Sequence, residues 1–204
     1  MSFKNIIFDL GGVILNIDFQ RTCDAFRKFG IDFSSIYSQN NQDALFDKFE
    51  IGMITANDFR NAIKMQLKLK ISDDEFDEAW NAMLLDLPKE RLNFIAALRK
   101  THRLFLFSNT NEIHLETVFR ICQREHGIGS LAPYFDKEYY SCRFGKRKPN
   151  PDAFKIILNE NQLKANETLF VDDTLQHVNG AQLAGLHAIH LAPGKTIFDV
   201  KAQL

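Results

Sequence analysis

Three short apolar runs in this chain each stop on small polar or acidic residues, and that recurrence limits the fold more than any other feature. Phe3-Lys-Asn-Ile-Ile-Phe8 ends in Asp9 and the pair Gly11-Gly12, Arg103-Leu-Phe-Leu-Phe107 is followed by Ser108-Asn109-Thr110, and Thr168-Leu-Phe-Val171 by Asp172-Asp173-Thr174. Their length, branched apolar content and abrupt polar stops predict buried strands. His187-Ala-Ile-His-Leu191, before Pro193-Gly194, predicts a fourth. Between them run helical patterns over about 89–100, 112–125, 151–160 and 175–184, the third opening on Asn150 as cap and Pro151 at the first helical position. This alternation predicts an α/β architecture, a parallel sheet with helices on both faces and ligands at the carboxyl ends of the strands. Every polar cluster named above falls at that end.

Residues 15–86 break the alternation and read as helices only, around 19–29, 42–49, 57–69 and 73–84. Thr55-Ala-Asn-Asp58 and Ser72-Asp-Asp-Glu75 have the spacing of capping boxes. The expected organisation is therefore an α/β core from 1–14 and 87–204, with a helical cap of 15–86 inserted after the first strand. A chain of 204 residues suits one core with one sizeable insertion. The 19 phenylalanines are expected to fill the core and the junction between these parts.

Composition narrows the function. A net charge of −1 offers no broad attraction to nucleic acid or acidic lipid, and no apolar run approaches a membrane span, so a small ligand is expected rather than either partner. The N-terminus shows no export signal, and Cys23, Cys122 and Cys142 form no CxxC pair. A cytoplasmic protein, monomeric or weakly dimeric, is the expectation.

At the strand ends, Asp9 before Leu10-Gly11-Gly12 offers a carboxylate beside backbone N–H groups able to meet an anion. The adjacent carboxylates Asp172 and Asp173 call for a cation, and few oxygen ligands with no His/Cys set favour Mg2+ over zinc. Ser108 and Asn109 offer a hydroxyl and an amide to a phosphate oxygen, and Lys148 a point charge. Lys146 and Arg147 read as solvated neighbours. Each cluster also has a structural reading as a turn or helix cap, so none decides alone.

Taken in order, Phe8-Asp-Leu-Gly-Gly-Val13, Ser108-Asn-Thr110, Lys148-Pro149 and Val171-Asp-Asp-Thr174 resemble the four signature motifs of the haloacid dehalogenase superfamily, with its Rossmann-like sheet and cap. Together with Phe49-Glu-Ile-Gly52 and Ile54-Thr55, they are similar to bacterial α-glucose-1-phosphate phosphatases and, more distantly, to dehalogenases and the phosphatase domain of soluble epoxide hydrolase. The resemblance implies a Mg2+-dependent phosphatase acting on a small phosphorylated metabolite such as a sugar phosphate. Asp9 would attack phosphorus to form an aspartyl phosphate, and Ser108 and Lys148 would hold the phosphoryl group. Asp9, the Gly11 carbonyl and the Asp172–Asp173 pair would hold the metal, Asp173 directly and Asp172 in support. Phe46, Glu50 and Gly52 are the expected contact region of the cap, with Glu50 accepting hydroxyls of the substrate.

One position departs from the pattern. Most phosphatases of the superfamily carry a second aspartate two residues after the nucleophile as general acid and base, and here that residue is Gly11. Asp18, Glu50 and His114 are conceivable substitutes, though Asp18 also suits a helix cap and His114 a structural place. His187 and His190 fall on opposite faces of a strand and make no metal pair. The alternatives are a 2-haloacid dehalogenase-like hydrolase and a phosphate-binding protein with impaired catalysis.

Overall fold

A computed structural model describes residues 3–35 and 44–203. Five parallel strands form one sheet in the order β3-β2-β1-β4-β5, with β1 at Asn5–Phe8, β2 at Arg103–Ser108, β3 at Lys137–Tyr140, β4 at Thr168–Asp172 and β5 at His187–His190. The sequence expectation of a parallel α/β sheet is met. Strand β3 was not anticipated, and its composition explains why. It is an edge strand of Lys-Glu-Tyr-Tyr that buries only its last two residues, so it lacks a continuous apolar run.

The side-chain period of two along each strand feeds two separate cores. Ile6, Phe8, Leu104, Leu106, Leu169 and Val171 face one layer, packed by helices α5 (Lys89–Leu98) and α6 (Glu112–His126). Ile7, Phe105, Phe107 and Phe170 face the other, packed by α8 (Pro151–Glu160) and α9 (Leu175–Leu183). Because β1 lies between β2 and β4, the chain reverses its direction of travel across the sheet at β1. That leaves a crevice at its carboxyl end, the ordinary ligand position of such sheets.

Between β1 and α5 lie α1 (Phe19–Arg27), α2 (Ala44–Glu50), α3 (Ala56–Leu67) and α4 (Asp73–Asn81). The helical pattern read from residue 42 begins partly outside the described residues. These helices share a third core in which Phe26, Phe33, Phe46, Phe49, Phe59 and Phe76 surround Trp80. Phe26 stacks on Phe33 at 4.1 Å and Phe49 on Phe59 at 4.3 Å between ring centroids. Six buried rings explain much of the phenylalanine content, since each contributes roughly 1.5–3 kcal/mol of burial. Ile113 of α6 joins this cluster and carries the packing from the helical segment onto the sheet layers. A short helix α7 (Ser141–Phe144) follows β3, and no described helix is long and apolar enough to cross a membrane.

Both capping boxes form. Thr55 accepts from the Asp58 backbone N–H at 3.1 Å while Asp58 accepts from the Thr55 N–H at 3.0 Å, and Ser72 and Glu75 make the same exchange. Replacing Thr55 or Ser72 by Ala leaves one backbone donor of that helix start, the Asp58 or the Glu75 N–H, without its side-chain acceptor, with an expected cost of about 1 kcal/mol each in urea denaturation. Because the two caps stand on different helices, the double variant is expected to lose the sum.

Candidate functional site

The site is built around a buried ammonium. Lys148 is fully excluded from solvent, and its Nζ lies 2.7 Å from Asp9 Oδ1 and 2.7 Å from Asp172 Oδ2. Asp9 follows the last residue of β1, its N–H donating to the Val171 carbonyl at 2.9 Å, and Asp172 is the last residue of β4. Two adjacent parallel strands thus deliver two carboxylates to one point, and a loop from the other side delivers the cation between them. Asn109 fixes that loop. Its Oδ1 accepts from the Lys148 N–H at 2.9 Å and its Nδ2 donates to the Lys148 carbonyl at 3.0 Å, ahead of a cis peptide bond to Pro149. Asn109, expected to meet substrate, therefore has its amide engaged with the Lys148 backbone, although it still borders the cavity.

Asp172 is saturated. Besides Lys148 it accepts from the Thr174 N–H at 2.7 Å, and His177 Nδ1 lies 3.1 Å from both its oxygens. Burial acts to raise its pKa, but the charge of Lys148 and the hydrogen bond from His177 hold it at about 2. Asp9 responds in the opposite sense: burial and repulsion from Asp172 push it well above the ordinary carboxylate range against the pull of Lys148. Asp173 is also raised, by burial and then by Asp172. Ionising all three carboxylates against one ammonium would leave two uncompensated negative charges here, which is why Asp9 and Asp173 are shifted upward and what a hard divalent cation would relieve. Asp9, Asp172 and His177 bring potential ligand atoms within 4.8 Å of one another, but the Asp172 oxygens already hold Lys148, Thr174 and His177. Asp173 is the acid that opens to the cavity, and His190 Nε2 contacts its carbonyl at 2.9 Å. Gly12, at φ 73°, passes so close to it that a Cβ would stand 2.2 Å from Asp173 Oδ2.

A cavity of about 110 Å³ opens over these strand ends. Asp9, Gly11, Ser108, Asn109, Asp173 and His177 border it from the sheet side. Ile17, Phe19, Glu50, Met83 and Leu84 border it from the helical segment and its connections. A Cβ on Gly11 would meet Ile17 Cδ1 at 3.1 Å, so an apolar side chain crowds the space into which a longer residue would project. Of the residues considered as substitute acids, Asp18 caps α1 by accepting from the Gln20 N–H. His114 is buried, its Nε2 facing the Trp80 carbonyl at 3.1 Å and its Nδ1 facing the Asn111 amide at 3.2 Å. Glu50 borders the cavity and pairs with Arg147 at 3.0 Å. Phe46 lies within the aromatic core and Gly52 against the Cys142 carbonyl of α7, so neither is placed on the cavity wall.

Two cavity residues were not found by sequence reasoning. Arg147, read as solvated, is partly buried and reaches α2, where it pairs with Asp47 as well as Glu50. His177 sits five residues beyond Asp172, in the first turn of α9, a spacing that offered the only local signal.

The fold and the strand-end site define a parallel-sheet α/β protein with carboxylates and a buried lysine at the switch point of the sheet. The chain belongs to the haloacid dehalogenase-like hydrolase family, whose model matches residues 3–185. It is 31% identical over 179 residues to a D-ribitol-5-phosphate phosphatase of Bacteroides thetaiotaomicron, covering 86% of this chain and 85% of that protein. It is 26% identical over 192 residues to a sesquiterpene phosphatase of Aspergillus oryzae, covering 93% and 90%. A family enzyme from Bacteroides thetaiotaomicron, solved in complex with magnesium and inorganic phosphate, superimposes with a TM-score of 0.83 at 33% identity over 95% of this chain and 96% of that one.

The buried imidazole of His114 gives a pH signature. Burial lowers its pKa to about 4, so between the ordinary histidine value and 4 the unfolded chain takes up a proton that the folded protein refuses. Its contribution to stability is full above about pH 6.5 and declines as pH falls toward 4, by up to about 3 kcal/mol. Thermal unfolding from pH 7 to 4 is expected to show a shallower decline in His114→Gln than in the native protein; parallel curves would refute the assignment.

Proposed function

We propose that the protein is a Mg2+-dependent phosphatase that hydrolyses a small phosphorylated metabolite, of the sugar or sugar-alcohol phosphate class, through an aspartyl phosphate on Asp9. The observation that carries this reading is the buried Lys148 ammonium 2.7 Å from the carboxylate of Asp9, which borders a cavity together with Ser108. Similarity to two phosphatases with unlike substrates supports the reaction class, and the sugar-alcohol relative supports the substrate class.

An Asp9 carboxylate oxygen attacks phosphorus as the bond from phosphorus to the leaving oxygen breaks, the departing alkoxide takes a proton from water, and the hydroxide equivalent so formed cleaves the acyl phosphate to return the Asp9 carboxylate and inorganic phosphate. Lys148 and Ser108 hold the phosphoryl oxygens, and Lys148 offsets the repulsion between Asp9 and the incoming phosphate. Asp9, the Gly11 carbonyl and Asp173 would hold Mg2+, with Asp172 supporting the site through its grip on Lys148. The cation, when bound, neutralises the surplus negative charge and polarises the phosphoryl group. The helical segment 15–86 acts as a cap that shields the reaction from water and meets the alcohol half of the substrate. Glu50 lies on that side. The excess of carboxylates favours this chemistry over halide displacement, which needs no metal.

With a panel of sugar and sugar-alcohol phosphates, phosphate release is expected to require Mg2+, to stop with EDTA and to return when Mg2+ is restored. Asp9→Asn is expected to lower kcat by roughly 10³-fold or more. Turnover that survives EDTA or Asp9→Asn would exclude the mechanism.

A further inference from the structure

Arg147 directly precedes Lys148 but serves a different partner. Lys148 is held in the core by Asp9 and Asp172, whereas the Arg147 guanidinium crosses to α2, pairing through Nη1 with Asp47 and lying with Nε 3.0 Å from Glu50 Oε2. The Nε is buried without an aligned hydrogen bond among the described residues. Both Arg147 and Glu50 border the cavity that holds Asp9. The peptide that carries Arg147 is itself fixed, because Asn109 clamps the next residue on both its N–H and its carbonyl. Gly52, at the turn after α2, packs its backbone against the Cys142 carbonyl of α7. The relation of this wall to the phosphoryl site is therefore set from both sides.

The charges of this cluster do not cancel. Glu50 at the cavity and Asp47 behind it contribute two negative charges and Arg147 one positive, which leaves one negative charge in the cluster. A leaving alcohol entering there meets a guanidinium N–H and a carboxylate, a donor and an acceptor suited to hydroxyl groups. A carboxylate or second phosphate on that alcohol would be repelled. Among the described residues that border the cavity there is no other lysine or arginine to compensate, and His114 and His177 are engaged by the Trp80 carbonyl and by Asp172.

We propose that the Asp47–Glu50–Arg147 cluster determines specificity: the Arg147 N–H and the Glu50 carboxylate select an uncharged, hydroxyl-bearing leaving alcohol, and the surplus negative charge of the two acids rejects one that carries a second anionic group. This rests on the phosphatase reading above and deepens it.

The test uses a matched pair, a five-carbon sugar-alcohol monophosphate and the aldonic acid phosphate that replaces its terminal hydroxymethyl group by a carboxylate. Native protein is expected to favour the uncharged member by on the order of tenfold in kcat/KM, the scale set by one nearby charge. Glu50→Gln removes a negative charge and should narrow that ratio, Arg147→Gln removes the positive charge and should widen it, and Arg147→Lys should keep it near the native value. Opposite signs in the first two variants cannot arise from a loss of structure. Equal losses on both substrates would reduce Arg147 to a structural role, and a native preference for the acid that Arg147→Gln abolishes would make it an anion receptor; either overturns the proposal. If neither compound is turned over, the failure falls on the substrate class of the phosphatase reading, which the wider panel with Mg2+ tests separately, and not on this proposal. The ratio of the two dissociation constants, from calorimetry on the same proteins, then decides the proposal by the same criteria.

Discussion

The Lys148 ammonium cannot be removed from solvent unless charge meets it, and the architecture of the site follows from that requirement. An unpaired buried cation would shed its proton or unfold its surroundings. Here two carboxylates stand 2.7 Å away on opposite partners, Asp9 and Asp172, and the combined pull of Asp172 and Asp9 raises the lysine pKa in spite of burial. The two acids are not equivalent. Asp172 is wrapped by Lys148, Thr174 and His177, and functions as the permanent counter-ion. Asp9 has fewer fixed partners and faces the cavity, and burial together with the charge of Asp172 raises its pKa, so its ionised form depends on Lys148 and on whatever positive charge enters the cavity.

A parallel sheet makes this arrangement possible without any local sequence continuity. Residues 9, 108 and 172 are far apart in the chain but share one edge because β1, β2 and β4 are adjacent and point the same way. Each strand needs only to end on the right residue, since register along the ladder sets the depth at which that residue stops: Phe8 pairs with Leu106 and with Val171, which places Asp9 beside Asp172. Lys148 is the exception, carried by a loop, and a loop backbone is soft. The paired hydrogen bonds from Asn109 supply the stiffness that a strand would otherwise give.

What could be read from the sequence follows the same division. Strands β1, β2 and β4 are central, buried on both faces, and announce themselves as apolar runs, while β3 covers an edge with Lys137 and Glu138 and does not. The capping boxes at Thr55 and Ser72 depend on residues three apart, and both were legible. Arg147 was not. Its partner Asp47 lies 100 residues away, and nothing in Gly-Lys-Arg-Lys-Pro distinguishes a charge that turns to solvent from one that crosses to a helix. His177 had a local cue, one helical turn past two acids, but a histidine at a helix start is equally at home as surface. Asn109 shows the converse case: the motif identified the residue, and only the fold revealed that its amide grips the Lys148 peptide.

Gly11 ties these threads together. A side chain there would project toward Ile17, which belongs to the segment between β1 and α1, so the departure from the usual acid is accompanied by an apolar contact rather than by open space. The consequence is a cavity whose polar functions are divided by origin. On the proposed reading, groups that act on phosphorus come from the sheet and its loops, whereas those that would face the leaving alcohol come from α2, from the apolar rim of Ile17, Phe19 and Leu84, and from Arg147, the one contributor carried by the same loop as Lys148. Because the first set is locked by the buried lysine and the second, Arg147 apart, is attached through a helical segment with its own aromatic core, the second can change its chemistry without disturbing the first. That separation gives a physical reason why proteins of one family, similar to this chain along most of its length, carry names as different as a sugar-alcohol phosphate phosphatase and a sesquiterpene phosphatase.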